Sequence, residues 1–224
     1  MEQNRSFDVF EATAANYDRE RMKLIPGHQR LYAAALSLIP PAAKTIVDLG
    51  AGTGLFSAMV HRALPNAQLH MIDFSPRMLE QARERLGDAD NLRYITADYS
   101  ADPLPSSACA VVSSMSIHHL DDEAKQRLFA RIYETLKPHG VFINVDHIAG
   151  HTPELEAIYQ QRWLTAIRAE GATEQQVSDS LYRQQEDRRV SIATQLQWMR
   201  DAGFAHVDCW HKDNSFAVLC GTRL

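Results

Sequence analysis

The sequence predicts an α/β chain in which strands and helices alternate around an open sheet, and three observations carry that expectation. Thr45 to Leu49 runs into three alternate glycines, Gly50, Gly52 and Gly54, and then into Leu55 to Ala63, where apolar side chains recur at helical spacing. The stretch reads strand, tight loop, helix. Further short apolar runs follow at Gln68 to Asp73, Leu92 to Thr96, Ala108 to Met115 and Val141 to His147. Finally, 224 residues at 45% hydrophobic content suffice for one sizeable core and not for two.

Taken in order, residues 1–40 lie outside the sheet as a helical lid. Phe7, Phe10, Ala14, Tyr17 and Arg21 recur at three- and four-residue steps, and Pro26-Gly27 stops that helix. Leu31, Tyr32, Ala35, Leu36 and Ile39 form a second stripe, ended by Pro40-Pro41. Residues 45–150 form the core. Within it Ser75 and Pro76 have the chemistry of an N-cap and a first helical residue, and the helix continues through Met78, Leu79, Ala82 and Leu86. Ala108 to Met115 is almost wholly apolar or small, as a strand covered on both faces should be. A helix from Asp122 to Leu136 ends at Lys137-Pro138-His139-Gly140. Residues 151–190 read as an inserted helical cap, with Leu155, Ile158, Tyr159, Arg162, Ala166 and Ile167 in one stripe and Gly171 breaking it before Val177, Leu181 and Tyr182. Residues 191–224 supply a last helix, closed by Gly203, and a hairpin of His206 to Trp210 with Phe216 to Cys220.

The net charge is −5, and Lys and Arg are scattered, which argues against a nucleic-acid partner held through phosphates. No segment approaches the ~20 apolar residues a bilayer requires, and MEQNRSFDVF lacks a secretion-signal pattern, so the expectation is a cytoplasmic protein, monomer or homodimer, without a membrane partner. Cys109, Cys209 and Cys220 are odd in number and without close pairing; they read as buried thiols.

The glycine turn is where chemistry enters. Glycine lets the backbone take conformations closed to other residues and approach a ligand without a Cβ in the way, and amides at the following helix start face that ligand. A dinucleotide fingerprint wants G-x-G-x-x-G, and Leu55 stands where its last glycine should be. IVDLGAGTG resembles instead the (V/L)LDLGCGTG motif of the class I S-adenosylmethionine-dependent methyltransferases of small-molecule type. The resemblance implies a Rossmann-like, mostly parallel seven-stranded sheet of order 3-2-1-4-5-7-6 with the last strand antiparallel. It also implies S-adenosyl-L-methionine as cofactor and a small molecule as acceptor.

Carried over residue by residue, the resemblance puts Asp48 near the methionine end of the cofactor, with Gly50, Ala51, Gly52 and Gly54 forming the turn. Asp73, ending the second strand about twenty residues on, is also where a carboxylate accepts from ribose hydroxyls. Phe74 and Met78 are expected to flank sugar and adenine, with core packing the alternative for Met78. Asp98 matches the family's adenine contact, and Tyr99 and Ser114 complete the set. Tyr17 and Arg21 belong to an N-terminal helix that folds over the cofactor in similar enzymes; Arg21 could equally pair with Asp18 or Glu11.

SIHHLDD after the fourth strand resembles the family's motif beside the methyl group, so His119 is expected to line the active site and His118 to pack on the sheet. Adjacent histidines seldom address one ion, and no carboxylate or thiol sits at a supporting spacing, so no metal is expected. Asp146 and His147 end the fifth strand at the ligand edge, and strand alternation allows one of them into the crevice, with His147 favoured as base or acceptor contact. The expected reaction is methyl transfer to oxygen, nitrogen or carbon by in-line displacement. Two alternatives stand beside it: attack on another carbon of the cofactor with release of methylthioadenosine, and a non-catalytic cofactor-binding protein.

Overall fold

The computed structural model describes Asp18 and residues 23–224; the expected first helix, with Tyr17 and Arg21, lies outside the described residues. Seven strands form one sheet in the order β3-β2-β1-β4-β5-β7-β6. They are β1 Thr45–Leu49, β2 Gln68–Asp73, β3 Leu92–Thr96, β4 Ala108–Ser114, β5 Leu136–His147, β6 Ala205–Asp213 and β7 Phe216–Thr222. β1 to β5 pair in parallel, and β7 runs antiparallel to both β5 and β6. All five parallel strands therefore deliver their carboxyl ends to one edge, with the order reversing between β1 and β4, the place where such sheets open a ligand crevice.

The helices are α1 His28–Ser37, α2 Leu55–Ala63, α3 Pro76–Leu86, α4 Asp122–Thr135, α5 Pro153–Ala169, α6 Glu174–Arg183 and α7 Ile192–Asp201. Strand alternation splits the core in two. Ile46, Met71, Val112, Ile143 and Val218 pack with Leu31 and Ala35 of α1, Phe56 of α2, Leu79 of α3, Trp163 of α5 and Val177 of α6. Val47, Ile72, Val111, Phe142 and Leu219 pack with Leu128, Phe129 and Ile132 of α4 and Met199 of α7. Each such side chain, removed from water, contributes about 1.5–3 kcal/mol, and the two-residue period of the strands is what lets one sheet serve both layers.

Local chemistry sets the boundaries. The Ser75 hydroxyl accepts from the Met78 amide at 3.2 Å with Pro76 behind it, and Thr173 forms a reciprocal capping box with Gln176. β5 starts earlier than the periodicity predicts: Leu136 already pairs with Ala108, and Lys137-Pro138-His139 bulges before Val141 pairs with Ala110. Of the three cysteines only Cys220 is buried, its thiol pKa pushed up to about 12 by burial; Cys109 and Cys209 are partly exposed, which corrects the expectation of three buried thiols. No helix among the described residues is long and apolar enough to cross a membrane.

Candidate active site

Three glycines hold the turn after β1, each for its own reason. All have positive φ (68°, 55° and 76° for Gly50, Gly52 and Gly54). A Cβ on Gly50 would lie 1.9 Å from Ser116 Oγ, because the β1 and β4 loops press together at the switch point. A Cβ on Gly54 would meet Leu86 and Ala82 of α3. Apart from its chain neighbours, no described residue lies within 4 Å of a Cβ placed on Gly52, and the Gly52 amide is pinned by donating to Asp73 Oδ2 at 2.8 Å. The other oxygen of Asp73 accepts from Ser75 N at 2.9 Å, and the Gly50 and Ala51 amides both donate to Ile72 O. Asp73, buried at the end of β2, thus fixes the turn.

Around this turn the other expected cofactor residues find their places. Asp48 is buried and its Oδ2 accepts from Ser57 Oγ at 2.5 Å. Asp98 is exposed just beyond β3, where it accepts from the amide and hydroxyl of Ser100. Tyr99 is buried with its hydroxyl 2.7 Å from Ser116 Oγ, and burial holds its pKa well above the ordinary tyrosine value. Ser114 Oγ donates to the Tyr32 hydroxyl at 3.0 Å. Phe74 is half-buried, whereas Met78 is buried in the first turn of α3. Asp18 also reaches the turn, accepting from Thr53 Oγ1 at 2.5 Å and pairing with Arg85.

A second group of polar side chains assembles beyond β4. Met115, at φ 55°, turns the chain sharply off the strand and into the short 3₁₀ helix Ile117–His119. His118 is buried with Nδ1 2.5 Å from Asp146 Oδ1. Asp146 Oδ1 also accepts from the His147 amide at 3.0 Å, and its Oδ2 from Asn144 Nδ2 at 3.3 Å. Asp187, immediately after the 3₁₀ helix Gln184–Glu186, lies at 3.6 Å from His118 Nε2, 3.2 Å from His119 Nδ1 and 3.6 Å from His147 Nδ1. His147 Nε2 sits 3.2 Å from Arg189 Nη1, and Arg189 pairs with Glu156 at 3.0 Å. The buried Lys125 donates to Arg188 O and to Asp122, while Arg188 N donates to His118 O.

These contacts set the charges. Burial opposes a charged His118, but Asp146 and Asp187 outweigh it and hold its pKa above the usual histidine value. His119 is held below that value by burial and by the neighbouring His118. His147 falls to about 4 through burial and Arg189, despite a hydrogen bond to Asp187. Burial pushes Asp187 upward, yet the histidines around it leave its pKa well below the carboxylate range.

The geometry changes the expectation for strand β5. Both Asp146 and His147 are buried and both join the same polar group, rather than one of them facing a crevice. His147 has both ring nitrogens engaged and stacks on its cross-strand neighbour Phe216 at 5.0 Å, so it offers no free nitrogen to an acceptor. Of the three nominated side chains, only His119 is part-exposed, at 30% of its side chain. Asp187, Arg189, Glu156 and Lys125 were not singled out from sequence. Lys125 did leave a signal, since 125, 128, 129 and 132 share the buried stripe of α4 and a lysine there calls for a partner.

Fold, glycine turn and acidic strand ends together resemble those of α/β methyltransferases. Residues 46–140 match the family described as "Methyltransferase domain". The chain is 34% identical over 91 residues to malonyl-[acyl-carrier protein] O-methyltransferase 1 of Ilyobacter polytropus, covering 41% of this chain and 33% of that protein. It is 25% identical over 233 residues to carboxy-S-adenosyl-L-methionine synthase of Hydrogenovibrio crunogenus, covering 97% of this chain and 89% of the relative. Among solved structures, human N-acetylserotonin methyltransferase in complex with SAM superimposes with a TM-score of 0.61 at 18% identity, covering 95% of this chain and 59% of that one. The chain thus spans about a third of the first relative and most of the second. Over residues 46–140 the chain is thus similar to a methyltransferase domain, and its sheet order is that of solved S-adenosylmethionine-dependent methyltransferases. The matched segment contains the glycine turn, Asp73, Asp98 and His119, and stops before Asp146, His147 and Asp187.

Proposed function

We propose that this chain transfers the methyl group of S-adenosylmethionine to a small-molecule acceptor. The observation that carries the reading is Gly52, positive in φ, with no described residue within 4 Å of its Cβ position beyond its chain neighbours, and held by Asp73 at the point where the strand order reverses. In this reading Asp73 takes the ribose hydroxyls, Asp98 takes the adenine amino group, and Phe74 and Met78 supply apolar surface beside them. Asp48, Tyr99 and Ser114 line the methionine end. The bond of Asp18 to Thr53 ties this position to the glycine turn, which supports a role for its neighbourhood in cofactor binding.

The cofactor's sulfonium supplies an already activated methyl group. What the protein must add is position: it holds a nucleophile in line with the breaking bond at about 3 Å and keeps water out. A base is needed only where the acceptor must shed a proton, and His119 is the side chain placed for it: its lowered pKa keeps the ring neutral and able to accept near pH 7. Cofactor titration by calorimetry, followed by mass spectrometry of metabolite extracts incubated with the enzyme, tests the proposal. It predicts S-adenosylhomocysteine and a product heavier by one methyl group. Bound cofactor with no turnover on any acceptor would leave a binding protein instead.

The match along nearly the whole length of a carboxy-S-adenosyl-L-methionine synthase favours a second reading, in which the cofactor itself is modified. The same mass spectra decide it, through a carboxylated cofactor in place of S-adenosylhomocysteine. Methylthioadenosine in those spectra would point instead to attack on another carbon.

A further inference from the structure

The side chains beyond β4 have a geometry that hydrogen bonding alone does not require. We propose that His118, His119 and Asp187 form a binding site for one divalent transition-metal ion. Their ligand atoms all lie within 4.8 Å of one another. A metal bound tetrahedrally at about 2.0–2.1 Å has ligand atoms about 3.4 Å apart. Asp187 Oδ1 lies 3.2 Å from His119 Nδ1 and 3.6 Å from His118 Nε2, so two edges of that tetrahedron already exist. The third, between the two rings, closes by a rotation of the part-exposed His119.

His118 and Asp187 each also have an outer partner that orients them. Asp146 holds His118 through Nδ1, directing Nε2 toward Asp187, and is itself held by Asn144 and the His147 amide. The Arg189 guanidinium can only donate, so Nε2 of His147 accepts and its Nδ1 carries the proton toward Asp187 Oδ2. That leaves Asp187 Oδ1 on the side of the two imidazoles. The backbone bond from Arg188 N to His118 O locks the two loops together beforehand. The local charge suits a cation: Asp146 and Asp187 are both carboxylates, while Arg189 is paired with Glu156 and the Lys125 ammonium is occupied by Asp122 and Arg188 O.

Two imidazoles and one carboxylate select ions such as Zn²⁺, Co²⁺, Ni²⁺ or Fe²⁺ over Mg²⁺ and Ca²⁺. Three protein ligands leave at least one position open, the arrangement of reactive rather than purely structural sites. If the methyl-transfer reading holds, an oxygen- or sulfur-bearing acceptor would bind at that position, where the ion would lower its pKa so that its proton is lost to solvent water, with His119 serving as ligand instead of base. The site itself does not rest on that reading.

The test uses the full chain stripped with chelator and titrated with Co²⁺, followed by its visible absorption, and with Zn²⁺ by calorimetry. One equivalent of each should bind saturably, with Mg²⁺ silent. Asp187→Asn and His119→Ala should each weaken binding at least tenfold, and Asp146→Asn by about 10–100-fold as an outer partner. Circular dichroism and an unchanged affinity for S-adenosylhomocysteine check each variant, and if Asp187→Asn unfolds, the part-exposed His119→Ala decides. A lack of saturable Co²⁺ binding, or binding that both variants retain, would overturn the site and leave these side chains as a latch holding residues 184–189 to the sheet. Because cofactor affinity is read separately, that failure would not touch the methyltransferase reading.

Discussion

The glycine turn and the histidine group face the same sheet edge, but they are assembled from different distances along the chain. The turn draws most of its contacts from its own neighbourhood: Gly50 and Ala51 hydrogen-bond to Ile72, Gly52 to Asp73, and Asp48 to Ser57. His118 finds its partners at Asp146 and Asp187, and Arg189 finds Glu156, across the cap insertion. A unit of strand, turn and helix can be conserved in form only if its residues keep their spacing, so it is readable as a motif. A cluster gathered from four segments has no spacing to read. The comparison teaches that the glycine turn is written locally here and the histidine group is written in the tertiary fold.

The sharpest way to break this comparison is Gly50→Ala, because Ser116 from the loop after β4 presses directly on that position. We expect it to cost about 3 kcal/mol, from a positive φ and a 1.9 Å clash together, with loss of cofactor binding. Urea unfolding checks it, and Ser116→Gly in the same chain should restore part of the stability by removing the clash while leaving the backbone strain. Full stability of the single variant would mean that the two loops do not press together.

Asp73→Ala should weaken S-adenosylmethionine binding by about 1.5–3 kcal/mol in a chain that remains folded, since charge-assisted hydrogen bonds are lost. Calorimetry with ribose and 2′-deoxyribose forms of the cofactor sharpens the result: equal affinity of the wild type for both would remove Asp73 as the ribose acceptor.

Gly52→Ala isolates the open position. No described residue would touch its Cβ, so the stability cost should be only about 1 kcal/mol of backbone strain, whereas cofactor affinity should fall about tenfold or more. Equal affinity in a folded Gly52→Ala variant would move the ligand away from the turn.

Lys125→Met addresses the other region. It removes the donor to Arg188 O and should cost about 1 kcal/mol, read as faster hydrogen exchange at residues 184–190. Cofactor affinity should stay and turnover should fall. A variant with normal turnover would show that this segment does not position the acceptor side.

Much of the fold was legible because its signals are short in range. Two-residue alternation in the strands, Ser75 and Pro76 at a helix start, and alternate glycines after an apolar strand are each dictated by backbone sterics and hydrogen bonding within a few residues. The same sterics made Asp73 legible, since a βα unit of ordinary length returns a second strand end beside the turn. What the sequence could not decide was anything depending on which distant groups meet. The bulge of β5 is fixed by pairing with β4, and Ser116 makes Gly50 obligatory only because two loops converge. The pairing of His147 with Arg189, and the placing of Asp187 between His118 and His119, follow from how the cap packs over the sheet. Burial then turns ordinary aspartates and histidines into a coupled group, because charges removed from water must find one another, and only the tertiary structure brings them within reach.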